Sequence, residues 1–566
     1  MESMIKRIGL YFLLVSSPVQ AATQPAMGNF LPLGESEARR SLQNSAREVN
    51  ELMEQRRYQQ LRQPKAIEED VIPAQAALPE SDRCLAIKGV YLQGITLLGM
   101  GELNKLTALP SDCITSNDIN RLTHELTRLY VRQGYITARV NFVPLNADGE
   151  LGINVIEGVV EKIEGGDYWV NSRLLFPDVV GKPLKLSQLD QGLDQANRLQ
   201  SNQTKLDILP GRSTGGSIIR LNNTHKKPWL LTGTLDNYGQ KNTGEWLVRT
   251  TASVDSPFGL SDFVSMNISS TIKDESRHHN RAYTLLYSLP YGAWTFSSFA
   301  SYSEYLNYQR LPLNTVKLDG NTQQYGGRAD YMFYRDQEQI DALNVQLTYK
   351  NVNNYLESSR LGISSTTLTV LELGANHLQI LPRGVLSLNA SVERGLSWFG
   401  ADKASSHRSA NYPDAQFTKA KMFATLSQRF SLWEQPYQLT HLFYGQYSRD
   451  PLPGVEWLSL TDRSAVRGFS RNTLSADNGW YLQNTLSRPM TLGNASLTPR
   501  IGVDVGRVQA HRDAVGWQSN MGLSAGVSFK YSQAVVDLDV SRGWLLSDQK
   551  SPTDPIQVLA RLSYSF

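Results

Sequence analysis

The stretch MGLSAGVSFKY (521–531) alternates without a break. Met521, Leu523, Ala525, Val527, Phe529 and Tyr531 fall on one face; Gly522, Ser524, Gly526, Ser528 and Lys530 fall on the other. Successive side chains of a strand point to opposite faces, so this period of two marks a strand with one apolar and one small or polar surface. The last segment, VLARLSYSF (558–566), repeats it: Val558, Ala560, Leu562, Tyr564 and Phe566 alternate with Arg561, Ser563 and Ser565. Outward from these strands the same texture runs back to Trp229 without a domain break.

A soluble sandwich also alternates, with its oily side inward. A barrel in a membrane alternates with its oily side outward. Sixteen strands over 229–566 leave about 21 residues for each strand with its connection, and a membrane strand needs roughly 9–11. Fourteen or eighteen strands fit almost as well. The start of the chain favours the barrel. MESMIKRIGLYFLLVSSPVQA (1–21) has Lys6 and Arg7, a short apolar run from Ile8 to Val15, and small-residue cleavage at Val19-Gln20-Ala21. That is a secretory signal peptide, too short to span a membrane as a helix. No later stretch holds 18 consecutive apolar residues. Export without a helical span, together with a closing aromatic strand, points to the outer membrane.

Composition excludes other classes. Lys+Arg is 56 against 53 Asp+Glu, a net charge of +3 that argues against nucleic acid as a partner. His124, His278, His279 and His377 are scattered, and no triad or metal cluster emerges. The glycines of LDNYGQKNTGEW are not followed by GKS or GKT, so no phosphate loop forms. No catalytic residue, metal or cofactor is expected. The two cysteines, Cys84 and Cys113, lie in the exported part. An oxidising compartment permits a bridge between them. It would close a loop of about 30 residues, worth roughly 3–4 kcal/mol on the entropy model. Two free buried thiols are the alternative.

Ahead of the barrel the chain is mixed. GESEARRSLQNSAREVNELMEQRRYQQLRQ (34–63) is helical by propensity but has a weak apolar face, so it belongs in a polar channel or in solvent. PKAIEEDVIPAQAALPES (64–81) has linker composition, and the linker is placed at 64–79. Two small α/β modules follow, over 80–163 and 164–226. In the first, Thr115 or Ser116 caps a helix through DINRLTHELTRLYVRQG, and Ile119, Leu122, Leu126 and Leu129 recur at helical spacing. TARVNFVPL and LGINVIEGVVEKIE then read as two strands joined by a turn at 146–149. The second module has a short helix at 186–199 and strands at 204–223.

One loop carries an unusual group. SAVRGFS (464–470) places Arg467 before Gly468 and Phe469. Two strands on, SLTPRIGVDVGRV (496–508) has Leu497, Pro499, Ile501, Val503 and Val505 at odd positions, with Gly502, Asp504 and Gly506 among the even ones. A carboxylate facing lipid is expensive, so Asp504 points into the lumen. Arg467 can pair with it bidentately if the loop folds inward. Gly468 allows the sharp turn and Phe469 can pack on the wall. A solvent-exposed loop arginine is the alternative.

These residues carry a family resemblance. The chain resembles outer-membrane transporters of two-partner secretion, the hemolysin-activator and hemagglutinin-exporter group of the Omp85 superfamily. The matching features run in order: CLAIKGVYLQG with Cys113 and ITSNDINRLTHELTRLYVRQGYITARV; LGINVIEGVVEKI; GRSTGGSIIRL into LTGTLDNYGQKNTGEW; AVRGF; and RIGVDVGRV with the terminal Tyr564-Ser565-Phe566. They span 84–566. The resemblance implies an N-terminal plug helix, two periplasmic POTRA modules and a 16-stranded antiparallel β-barrel. It implies a loop over 450–478, between strands 11 and 12, folded into the lumen. The lumenal motif falls on Val466, Arg467, Gly468 and Phe469, and its partner on strand 13 on Val503, Asp504 and Gly506. Tyr564 and Phe566 fall on the C-terminal strand signal. One departure is visible: Ser459-Leu460-Thr461 stands where relatives often carry a glycine pair.

The implied function is export, without ATP, of an unfolded exoprotein that has an N-terminal secretion domain. Its cargo is a hemolysin, an adhesin or a contact-dependent toxin. Other implied partners are outer-membrane lipid and lipopolysaccharide, with barrel-assembly machinery and periplasmic chaperones during biogenesis. The rivals are a barrel-assembly factor of the same superfamily, a nutrient porin and a soluble adhesin. Two modules and a charged plug favour secretion over assembly. A porin has no need of such modules, and the terminal strand argues against an adhesin.

Overall fold

The computed structural model describes residues 35–61, 84–104, 106, 112–272, 276–310, 314–336, 338–403, 412–470, 473–510, 516–547 and 553–566. The expected signal peptide and linker lie outside them. Helix α1 (Glu35–Leu61) matches the expected plug. It is followed in chain order by two small α/β units and a closed barrel.

The first unit is built on α2 (Ser116–Arg132). Thr115 caps it: its hydroxyl accepts from the Asp118 backbone N–H at 3.2 Å, while Asp118 accepts from the Thr115 N–H at 3.0 Å. Leu122, Leu126 and Leu129 recur at helical spacing and are buried on a three-stranded sheet. In that sheet Glu150–Ile156 is central, parallel to Gly89–Gln93 and antiparallel to Arg139–Val143. Cys84 and Cys113 form a disulfide with Cα atoms 5.7 Å apart.

The sequence reading expects LGINVIEGVVEKIE to be one strand and places the module boundary at 163/164. The structure divides it. Val159–Gly165 leaves the first sheet and pairs in parallel with Gly216–His225, in a second sheet completed by Asn202–Pro210. The break falls at Glu157-Gly158, where a Cβ on Gly158 would overlap Thr137. α3 (Leu186–Asn197) covers the second sheet, with Leu189, Leu193 and Ala196 in its core. The two units are stitched together: Leu186 N–H donates to Gly134 O at 2.8 Å, and Ile136 packs into the second core.

Sixteen antiparallel strands close the barrel. They are β1 (Trp229–Asp236), β2 (Leu247–Asp255), β3 (Phe263–Thr271), β4 (His279–Tyr291), β5 (Trp294–Arg310), β6 (Thr315–Arg335), β7 (Gln339–Leu356) and β8 (Thr366–Leu381). The second half comprises β9 (Gly384–Leu396), β10 (Thr418–Leu432), β11 (Gln435–Ser448), β12 (Asn478–Ser487), β13 (Ala495–Gln509), β14 (Gln518–Tyr531), β15 (Ala534–Leu545) and β16 (Gln557–Ser565). Short pieces at Ser359–Arg360 and Met490–Leu492 only extend hairpins, on β7 and β13. β16 closes on β1 from Arg561↔Asp236 to Ser565↔Thr232. Phe566 N–H donates to Leu231 O at 2.8 Å beyond that register. Closure leaves no bare sheet edge, which lipid would penalise.

The second unit docks on the short barrel turns at its end. Asn171 N–H donates to Ser261 Oγ and Gly292 N–H to Leu174 O, each at 2.8 Å. Asp194 of α3 accepts from Arg335 NH2 at 2.8 Å and pairs also with its Nε.

Candidate functional site

The long connection between β11 and β12, from Arg449 to Asp477, turns into the barrel. Leu458–Ser459 pairs with Ser475–Ala476 to make a small hairpin inside it. Leu458, Leu460, Ala465, Val466, Phe469, Leu474 and Ala476 bury themselves against Tyr481 of β12 and Val508 of β13. Ser459-Leu460-Thr461, the noted departure, serves this packing. Leu460 is fully buried and lies where a Cβ on Gly506 would be.

Alternation on β13 is as expected. Ile501 and Val503 face outward, while Gly502, Asp504 and Gly506 are buried on the inner side. Arg467 meets Asp504 there. Its Nε lies 2.6 Å from Oδ2 and its NH2 2.5 Å from Oδ1, a bidentate fork; its backbone N–H adds a bond to Oδ2 at 3.0 Å. NH2 also reaches Asn484 O at 3.2 Å. Asp504 is fully buried, so the carboxylate is held by this arginine rather than by water.

The rest of the seat was not read from sequence. Strand register places Asp504 opposite Gly522 of β14, and Gly522 opposite Gly543 of β15. This row runs across the strands and receives the loop. The Arg467 carbonyl lies over Gly522, and the Phe469 ring lies over Gly543. Gly468 has φ +95°, and its backbone crosses that of Arg542-Gly543 where no Cβ would fit. Gln557 of β16 donates to Phe469 O at 2.7 Å.

A second anchor lies on the other flank. Glu456 of the loop accepts from Lys350 of β7 at 2.5 Å and from Lys419 of β10 at 2.6 Å. Lys419 also pairs with Glu393 of β9 at 2.8 Å, and Lys421 pairs with Glu393 and with Glu372 of β8. Charges alternate along this chain of six, and only the loop supplies Glu456. Its lysine partners lie far away in sequence, so no local pattern marks them. The buried glycine row leaves a fainter trace: glycines at alternate, inward positions of consecutive strands.

α1 occupies the remaining lumen and holds the loop. Arg40 pairs with Asp462 at 2.7 Å, Arg39 donates to Gly454 O at 3.0 Å, Gln43 donates to Trp457 O at 2.9 Å, and Arg47 bonds Ser464. Ala38 and Leu42 pack on Val352, Leu368 and Val370 of the wall; Val49 packs on Phe263, Leu286 and Phe299. The weak apolar face suits a polar channel, one of the two places the sequence allowed.

Glu157 stands at the joint of the two soluble units. Burial opposes its ionisation. Hydrogen bonds from Thr96 and Tyr130 and from the backbone of Leu97 more than offset this and hold its carboxyl below the usual range. Tyr130 Oη donates at 2.6 Å and Leu97 N–H at 2.8 Å.

A closed outer-membrane barrel with POTRA-type modules, a plug helix and an arginine-clamped inward loop defines a transporter of the Omp85 superfamily. The chain belongs to the haemolysin secretion/activation family ShlB/FhaC/HecB, whose model matches residues 215–529, and is a two-partner secretion transporter. POTRA models match residues 85–158 (ShlB-type) and 155–210. Over 563 residues, the whole of both chains, it is 64% identical to the hemolysin transporter ShlB of Serratia marcescens. It is 54% identical over 566 residues, again the whole of both, to the hemolysin transporter HpmB of Proteus mirabilis. The solved structure of CdiB from Escherichia coli matches with a TM-score of 0.82 at 26% identity, covering 95% of this chain and all of that one.

Proposed function

We propose that this outer-membrane transporter exports a hemolysin-type exoprotein. The reading rests above all on full-length identity to transporters named for hemolysin. The POTRA units capture the unfolded partner in the periplasm, and an extended segment adds to a sheet edge by main-chain bonds. α1 then leaves the lumen. Val466, Arg467, Gly468 and Phe469 keep the loop ordered against Val503, Asp504 and Gly506 while the chain passes. Folding of the cargo outside draws it through without ATP. Barrel-assembly machinery and chaperones act on the strand ending in Tyr564 and Phe566, and the finished barrel sits among lipid and lipopolysaccharide. An assembly factor is not favoured, because the relatives matched end to end are transporters by name.

The test is co-expression with the hemolysin of the Serratia marcescens relative. Hemolysin should reach the medium with the intact transporter. Deletion of 84–156 should abolish this while the barrel remains inserted and heat-modifiable. Normal secretion by a well-inserted deletion variant overturns periplasmic capture by the first unit.

A further inference from the structure

The outer wall of the barrel carries two arginines close together on its lipid side. The second periplasmic unit docks at one end of the barrel, so the opposite ends of β13 and β15 lie at the cell surface. Near that end of β13, Arg507 shares the outward face with Ile501 and Val503. Near that end of β15, Arg542 shares the outward face with Leu538 and Val540. Both arginines are exposed. Only β14 separates their strands, which therefore lie about 10 Å apart. We infer that this pair binds the phosphate groups of a lipopolysaccharide molecule in the outer leaflet. This deepens the reading that the finished barrel sits among lipid and lipopolysaccharide, and rests on it.

The protein does not neutralise these two cations. Among the described residues neither makes an ion pair. Arg507 Nε donates to Ser519 Oγ at 3.0 Å, and Arg542 Nε donates to the Asp554 carbonyl at 3.3 Å, both neutral oxygens. Other arginines of the wall are matched. Arg281 also faces outward, but Glu304 on the next strand meets it at 3.4 Å. Inward-facing Arg500 pairs with Asp537 and Asp539. A cation on the lipid face is penalised most at the midplane and least at the interface, where an anion can meet it.

Tryptophan fixes the depth of the pair. The Arg507 guanidinium carbon lies 5.6 Å from the Trp517 ring centre, and that of Arg542 lies 5.8 Å from the Trp544 ring centre. Trp480 of β12 stands directly opposite Arg507 in the register. Tryptophan gathers at the bilayer interface, so both cations sit at headgroup level. Beneath them Val503, Leu523 and Val540 are exposed on the same side, an aliphatic surface for acyl chains. A guanidinium fork matches a phosphate with two parallel bonds. A glycolipid with a phosphate at each end of a disaccharide can engage both arginines, whereas a phospholipid brings one phosphate. The site also backs onto the loop seat. The Arg542 backbone lies against Gly468 inside the barrel while its side chain is outside. A lipid bridging β13 and β15 ties together the strands that carry Asp504, Gly522 and Gly543.

The experiment takes the full-length transporter from outer membranes, strips bound lipid in detergent and follows rebinding by native mass spectrometry. The probes are bisphosphorylated lipid A, dephosphorylated lipid A, phosphatidylglycerol and inorganic phosphate. The parent should prefer bisphosphorylated lipid A over the other three. Joint substitution Arg507→Gln and Arg542→Gln should weaken that binding at least about tenfold, since charge-assisted contacts are lost. Arg281→Gln is the control and should match the parent. Unchanged binding by the double variant, or equal binding of dephosphorylated lipid A by the parent, overturns the site. Equal or tighter binding of phosphatidylglycerol or of inorganic phosphate overturns the choice of glycolipid. Should the double variant fail to insert, the lipid comparison on the parent decides alone. A parent that shows no heat-shifted, inserted barrel overturns the membrane placement instead.

Discussion

Gly522→Ala isolates the seat of the loop from every other property of the strand. A Cβ there would lie well inside 3.0 Å of the Arg467 carbonyl oxygen, where ordinary contact begins near 3.4 Å. The obstacle is backbone, fixed on one side by the Asp504 fork and on the other by the Phe469–Gly543 contact, so no flexible side-chain tip can yield. Overpacking of this kind costs about 1–3 kcal/mol. At 1.4 kcal/mol per decade, the ratio of seated to unseated loop falls about five- to 150-fold. Gly327→Ala on β6 is the control, because nothing lies within 4 Å of its Cβ. Both proteins should insert and shift on heating alike. The readouts are trypsin cleavage at Arg463 and Arg467 in outer-membrane vesicles, and hemolysin secreted to the medium. Gly522→Ala should be cut faster and secrete less, and Gly327→Ala should match the parent. If Gly522→Ala behaves as Gly327→Ala does, the loop does not rest on the glycine row and the seat is misassigned.

Arg467→Ala and Asp504→Ala should each lower export with the barrel still inserted. A double-mutant cycle on loop protection should give a coupling of about 1–3 kcal/mol, and independent losses refute the pairing. Arg467→Lys should rescue only in part, since an ammonium cannot match the planar fork. Cys84→Ser and Cys113→Ser should destabilise the first unit by similar amounts, and the double variant should add little; additive losses would mean that the two residues do not share one bond. Glu157 has a lowered folded value, so the stability it adds is full above its ordinary value near 4.5 and drains away as pH falls through the folded value. Protection of α2 against hydrogen exchange in the full chain, relative to the intrinsic rate at each pH, should therefore fall in acid, and Glu157→Gln should flatten that dependence; an unchanged profile would show that another group governs it.

Legibility followed locality. The barrel was readable because lipid imposes period two on every strand, and Asp504 was readable because a carboxylate cannot take the lipid side. Gly522 showed only as a small residue on a polar face. What makes it a seat is its place opposite Asp504 and Gly543, and hydrogen-bond register sets that across three strands. Glu456 carried no signal at all, since Lys350 and Lys419 reach it from distant strands. The division at Gly158 was missed for a related reason. Strand-like residues continue straight through it, and only the parallel pairing of Val159–Gly165 with Gly216–His225 assigns the second half to another sheet.

Burial also ranks how firmly the two occupants of the lumen are held. Among the described residues, the large apolar side chains that α1 buries are Leu42 and Val49, with Leu52 and Met53 partly covered. At roughly 1.5–3 kcal/mol for each fully buried side chain, α1 is held by about 3–6 kcal/mol of apolar contact. The loop buries Leu458, Leu460, Val466, Phe469 and Leu474, or about 7–15 kcal/mol on the same scale. Its two ionic anchors come on top of that. Capture of a partner at micromolar affinity supplies about 8 kcal/mol. That figure exceeds the apolar hold on α1, to which the bonds of Arg39, Arg40, Gln43 and Arg47 add, and falls within the range for the loop before its ionic anchors are counted.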